Sequence, residues 1–145
     1  MIALLIVAHG NLGDCLIQCA THVLGSRPDA LENLDLSACE DPDDMLARAR
    51  ATLAELDQGE GVLILTDVYG ATPCNTVCRV IASDQVEAVA GVNLPMLLKA
   101  LTYRESGMAV LIEKSVSGGQ NGIFNIHSEL GCVGSASAVT GVIHG

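Results

Sequence analysis

The sequence predicts an α/β domain: a small doubly wound parallel sheet of strand order 2-1-3-4 with helices on both faces. Three observations lead there. The runs IALLIVA (2–8) and GVLILT (61–66) are apolar and of strand length, as strands covered on both faces must be. Segments of helical period separate such runs, and repeated βα units imply a parallel sheet joined by right-handed crossovers. The chain has 145 residues, one domain's worth, and for four βα units of that size 2-1-3-4 is the expected order.

Each element has its own local reason. Residues 13–24 read as a helix with Leu16, Ile17, Ala20 and Leu24 on one face. LENLDL (31–36) alternates and reads as a half-exposed strand. In EDPDD (40–44), Asp41 caps a second helix, Pro42 suits its first turn, and Asp43 and Asp44 favour the positive end of its dipole. That helix continues through Met45, Leu46, Ala49, Leu53 and Leu56 towards Gly59. After the strand at 61–66, Thr72 and Pro73 open a third helix carrying Val77, Val80 and Ile81. VEAVAGV (86–92) is the fourth strand, Pro95 opens a further helix, and 108–116 reads as helical. IFNIH (123–127) reads as a short last strand, released by a glycine turn at Gly118, Gly119 and Gly122. The domain is expected to occupy 1–130, followed by a mobile Gly/Ser/Ala-rich tail at 131–145.

Composition limits function. Half the residues are hydrophobic but only 2% are aromatic, so the core must be aliphatic. Seventeen acidic against seven basic residues give a net charge of −10, which disfavours nucleic acid and anionic membranes and suits a partner with a basic patch. The apolar runs are too short and broken to span a bilayer, and MIALLIVA lacks the basic start of a secretory signal. Six cysteines include two pairs at spacing four, Cys15/Cys19 and Cys74/Cys78, but no zinc-ligand pattern. They read as reduced, small apolar packing residues in a cytoplasmic protein that holds no metal and needs no cofactor.

The candidate site follows from the topology. His9 ends the first strand and Asp67 the third, and the switch point of a 2-1-3-4 sheet lies between those strands, where ligands bind beyond the carboxyl ends. Two glycine-containing turns flank it: His9-Gly10-Asn11-Leu12-Gly13 and Asp67-Val68-Tyr69-Gly70-Ala71-Thr72-Pro73. Each leads into a helix whose first amides and dipole favour an anion, phosphate included. A neutral imidazole there can accept a phosphoryl group if a carboxylate holds its other nitrogen, and Asp67 fits that role. Gly10, Asn11, Tyr69, Gly70 and Thr72 are the candidate phosphate-binding or docking residues. His22 reads as a surface residue, and His127 and His144 have no evident acid partner.

The stretches IVAHGNLGDCL, GVLILTDVYGATPCN and AVAGVNLPMLLKAL, in order and at their spacing, resemble the IIA domain of the mannose-type sugar phosphotransferase system over roughly residues 1–127. The resemblance implies a phosphocarrier: His9 takes a phosphoryl group from phospho-HPr and hands it to a IIB component, with Asp67 binding the imidazole. Membrane IIC and IID components are then only indirect partners. It also implies a homodimer whose last strand crosses to the partner's sheet, where GIFNI falls. No linker or IIB domain follows, so the sequence reads as a IIA domain standing alone. Tyr69 stands where the family often carries Trp, Thr72 keeps the hydroxyl of a common Ser, and Cys74 replaces a frequent apolar aromatic, differences that bear on partner docking. Two other readings share the His-Gly strand end. A small tetrapyrrole chelatase needs a second metal-handling histidine, for which the second half offers His127 and His144. A regulatory docking module of the same family would use His9 itself. The phosphotransfer subunit of dihydroxyacetone kinases shares the domain type but would carry further domains.

Overall fold

Ala3–Val7 and Val62–Thr66 form adjacent strands, β1 and β3, each buried along its whole length. The computed structural model describes residues 1–37, 39–68 and 85–130. The other described elements are α1 (Leu12–Leu24), β2 (Leu31–Asn33), α2 (Pro42–Leu56), β4 (Val86–Ala90), α3 (Leu94–Thr102), α4 (Met108–Asn121) and α5 (Ile126–Leu130). All strand pairs are parallel, with Leu4 opposite Leu31, Val7 opposite Thr66 and Thr66 opposite Ala90. The order is β2-β1-β3-β4, as the sequence predicts. The helix expected from Thr72 and Pro73, with Cys74 and Cys78, and the tail at 131–145 lie outside the described residues.

Alternation along the strands divides the core in two. Leu4 and Ile6 join Leu63, Leu65 and the inner faces of α1, α3 and α4. Leu5 and Val7 join Val62, Ile64 and the inner face of α2. Truncating any of these leucines to alanine would cost about 2–5 kcal/mol, because close packing cannot refill the cavity. Capping fixes where the helices begin. Asp41 accepts from Asp43 N at 3.0 Å with Pro42 in the first turn of α2, as expected. Asn93 accepts from Met96 N at 2.9 Å to cap α3, and its amide donates to Gly119 O at 3.1 Å, tying α3 to α4.

A buried arginine closes the far end of the sheet from the site. Arg104 donates from Nε to Ile2 O (2.9 Å), from Nη1 to Asp29 O (2.6 Å) and from Nη2 to Ala30 O (2.7 Å). Burial lowers its pKa, opposed by the nearby Asp29 and Glu105 carboxylates. Its planar fork matches three diverging carbonyls, which a lysine could not do.

Four expectations need correction. The strand read at 31–36 forms a ladder only over Leu31–Asn33, although Leu34 N still donates to Ile6 O (2.9 Å) and Leu34 and Leu36 are buried. Asp35 ends it by accepting from Ser37 N, which turns the chain away. Gly118 and Gly119 are no turn: both lie buried within α4. A Cβ at Gly118 would meet Lys99 Cβ at 2.6 Å, so the missing side chains let α3 and α4 approach closely. Residues 123–125 join no ladder, and Ile126–Leu130 is a short helix rather than the end of a strand. Asn125 starts that helix: its side-chain oxygen accepts from Ser128 N at 3.3 Å and its carbonyl from Glu129 N at 3.2 Å. Cys15 and Cys19 are exposed, because Gly13, Leu16, Ile17 and Ala20 take the buried face of α1; Leu24 also points outward.

Candidate functional site

Where β1 and β3 end side by side, each chain continues for one or two residues and delivers a polar side chain. Val7 lies opposite Thr66, so Asp67 and His9 emerge at the same end of adjacent strands. Asp67 Oδ2 meets His9 Nδ1 at 2.8 Å and also accepts from the backbone N–H of His9 at 3.0 Å. Its other oxygen, Oδ1, accepts from Val68 N at 2.8 Å. Burial of Asp67 would raise its pKa, but hydrogen bonds from the His9 amide, the His9 ring and the Val68 amide, with the attraction of the imidazole, together hold it below the ordinary carboxylate range. An ionised carboxylate only accepts, so Nδ1 is the nitrogen that carries hydrogen and the Nε2 lone pair is left free. The His9 side chain is 57% exposed and that of Asp67 only 13%: the acid is fixed from below while the ring faces outward.

The turn after His9 depends on glycine. Gly10 has φ +55°, a left-handed conformation, which reverses the chain directly into α1. Leu12 N donates to His9 O at 3.3 Å, joining the histidine to the helix start. Asn11 sits at the N-cap, and its side chain makes no capping hydrogen bond to the amides of the first turn. Of the residues singled out in the sequence, His9, Gly10, Asn11 and Asp67 are thus together; Tyr69, Gly70 and Thr72 lie outside the described residues. His22 is exposed on α1 and His127 on α5.

A cleft of about 240 Å³ opens beside His9, lined by Ala8, Gly10, Asp35, Ser37 and Met45 among others. Asp35 is held below the ordinary carboxylate range by the Ser37 hydroxyl and then the Ser37 amide, against a small effect of burial, with Arg48 adding attraction. Sequence reasoning missed this wall. The signal was available: β2 neighbours β1 in the expected order, so the Asp-Leu-Ser at its carboxyl end had to border the same crevice. Among the described residues no group of three or more His, Cys, Asp or Glu side chains could hold a metal ion.

The model of the EIIA-man family, described as the PTS system fructose IIA component, matches residues 3–115, most of the chain and both members of the pair. The chain belongs to this family. It is 31% identical over 125 residues to the mannose-specific EIIAB component of the phosphotransferase system (PTS) of Escherichia coli K12, covering 84% of this chain and 38% of that protein. The chain therefore spans little more than a third of the mannose-specific relatives. Against the fructose-specific EIIA component of Bacillus subtilis it is 30% identical over 106 residues, 72% of each chain. A PTS EIIA component from Streptococcus agalactiae superposes with a TM-score of 0.77 over 88% of this chain and 99% of that one; at 23% identity this shows the shared fold. No helix among the described residues is long and apolar enough to cross a membrane.

Proposed function

We propose that this EIIA-man domain is a phosphocarrier in which His9 Nε2 accepts a phosphoryl group from phospho-HPr and passes it to a IIB component. The observation that carries this reading is the 2.8 Å contact between Asp67 Oδ2 and His9 Nδ1, with the rest of the ring open. In the acceptance step a bond forms between His9 Nε2 and phosphorus as the nitrogen–phosphorus bond in the donor breaks. Nδ1 keeps its hydrogen, and the positive charge gathering on the imidazole is stabilised by the Asp67 carboxylate. Transfer to the IIB component is the same exchange in reverse. Gly10 and Asn11 place the start of α1 beside the incoming anion, and Tyr69, Gly70 and Thr72 are assigned to phosphate binding or docking. No metal or cofactor is needed by this chemistry, and membrane IIC and IID components take part only through the IIB protein.

The domain works in the cytoplasm as a homodimer in this reading. Support for the dimer comes from its carboxyl-terminal end, where Ile123, Ile126 and Leu130 are exposed next to one another in sequence. Such apolar side chains are covered at low cost by a second copy of the same chain. A concentration-independent monomer in analytical ultracentrifugation overturns this part alone.

The phosphocarrier itself is tested by incubating the protein with phosphoenolpyruvate, enzyme I and HPr, then weighing it intact. One phosphoryl mass is expected, labile to acid and stable to base, and lost in His9→Ala but kept in His22→Ala, His127→Ala and His144→Ala. Phosphorylation of His9→Ala refutes the assignment.

A further inference from the structure

We propose that the carboxylate of Asp35 raises the phosphoryl-transfer potential of His9, opposing the group once it is attached and favouring its release to the next acceptor. The inference rests on the phosphocarrier reading and adds to it a second carboxylate that works against the first.

Three adjacent strands deliver the parts. In the order β2-β1-β3, His9 follows the middle strand, Asp67 follows β3 on one side and Asp35 follows β2 on the other. Leu34 N donates to Ile6 O at 2.9 Å, which holds the end of β2 against β1, and Leu34 and Leu36 are both buried. Asp35 stands exposed between those two anchors, and its Oδ1 accepts from Ser37 N at 2.9 Å. It lines the same cleft of about 240 Å³ as His9. Asp67 occupies Nδ1, so Nε2 points away from that acid. A phosphoryl group on Nε2 therefore stands off Asp67, while the cleft at His9 presents it with the charge of Asp35.

The two acids act with opposite sign. Asp67 steadies the positive charge that the imidazole gains on phosphorylation, which favours acceptance and by itself would make the phosphorylated protein a resting place. Asp35 bears on the group instead of the ring. The Ser37 hydroxyl and then the Ser37 amide hold it below the ordinary carboxylate range, so its charge is present at neutral pH. Among the described residues it makes no ion pair. The attraction of Arg48 is the smallest influence on it, and that guanidinium donates to Cys39 Sγ at 3.2 Å. A phosphoryl group brings about two negative charges to a cleft where the neutral imidazole brought none. Asp35 is exposed and screened by solvent and salt, so the repulsion is worth roughly two- to tenfold in the exchange equilibrium, not thousands. The exchange itself is balanced: the nitrogen–phosphorus bond of phospho-HPr breaks as the bond to His9 Nε2 forms, and Nδ1 keeps its hydrogen.

The test reads the equilibrium between phospho-HPr and the full chain, which depends on the end states alone, so contacts made only in the transient complex cancel from it. Wild type, Asp35→Asn, Asp35→Ser and, as a same-charge control outside the cleft, Glu113→Gln on α4 are mixed with phospho-HPr, and the phosphorylated fractions are weighed intact. Both Asp35 variants keep an acceptor for Ser37 N, and thermal unfolding checks the fold. Each should move the equilibrium roughly two- to tenfold towards phospho-His9, with Glu113→Gln close to wild type, and the difference should shrink at high salt. Phosphorus NMR titration of the isolated phosphoprotein gives a second readout. The phosphoryl group should take up its last proton a few tenths of a pH unit lower in Asp35→Asn than in wild type, where the carboxylate disfavours its dianion. An unchanged equilibrium in folded Asp35→Asn and Asp35→Ser, an equal shift in Glu113→Gln, or a shift towards phospho-HPr overturns the proposal. Altered transfer rates with an unaltered equilibrium also overturn it, by assigning Asp35 to partner contact. Failure of the wild type to take a phosphoryl group, by contrast, overturns the phosphocarrier reading itself.

Discussion

Replacing Asp67 by asparagine isolates what the carboxylate contributes. The side chain keeps its size, and its oxygen can still accept from His9 N and His9 Nδ1, which Asp67 Oδ2 now serves at 3.0 and 2.8 Å. The amide nitrogen then faces Val68 N, a donor against a donor, where Oδ1 accepts at 2.8 Å. Turning the amide over repairs that contact and loses the one to the ring. Beyond this conflict, the charge is gone. A unit charge 2.8 Å from the imidazolium that forms during transfer is worth about 1.5–3 kcal/mol at an effective dielectric constant of roughly 80 to 40, suited to a half-exposed pair. With that charge fully developed in the transition state, phosphoryl acceptance should slow by about 10- to 150-fold. Rapid-quench transfer from saturating phospho-HPr measures it, with thermal unfolding as the control for an intact fold. An unchanged rate in a folded Asp67→Asn protein refutes the argument, because another group would then be orienting His9.

Other perturbations read different parts of the structure. Because the folded-state pKa of Asp67 is depressed, its contribution to stability is present above the ordinary carboxylate value of about 3.9 and disappears as pH falls through the lowered value. An acid-unfolding curve should therefore lose part of its low-pH dependence in Asp67→Asn. Gly118→Ala reverses the usual sign: alanine normally favours a helix interior, but a Cβ 2.6 Å from Lys99 Cβ should destabilise by about 1–3 kcal/mol in urea unfolding. Thr66 has a buried hydroxyl with no hydrogen-bond partner among the described residues, so Thr66→Val should hold or raise stability by about 1 kcal/mol; a clear loss would show that the hydroxyl is satisfied. Arg104→Met should cost about 3–5 kcal/mol by leaving the Ile2, Asp29 and Ala30 carbonyls without their donor, and Arg104→Lys should recover only part of it.

What could be read beforehand was whatever one stretch of chain decides by itself. The apolar runs named β1 and β3, Asp41-Pro42 named the start of α2, and the strand order put His9 beside Asp67. Features that depend on what arrives from elsewhere were hidden. Gly118 and Gly119 read as a turn because glycine usually breaks helices, and only the approach of Lys99 and Met96 explains them. Arg104 sits in the polar stretch TYRESG, and its role depends on residues 2, 29 and 30, which only the fold brings to it. Asn93 was passed over in favour of Pro95, although it caps α3 and binds α4. The spacing of Cys15 and Cys19 fixed that they share a helix face but not which face the sheet would claim. Ile123–His127 has strand-like composition, yet Asn125 caps a short helix that begins at Ile126 and the segment joins no ladder.

The pairing of β1 with β3 also sets when in folding the site comes into being. His9 and Asp67 are 58 residues apart, and the chain between them contributes β2 and α2 before returning to the centre of the sheet. Neither half can be assembled from local contacts, so an emerging or partly folded chain holds a histidine without its acid. A slip of one residue between β1 and β3 would part the two side chains and turn one strand's side chains to the wrong faces of the sheet. In the phosphocarrier reading, competence for transfer is therefore confined to chains in which β1 and β3 have paired in the right register, so that transfer would itself report a correctly closed sheet.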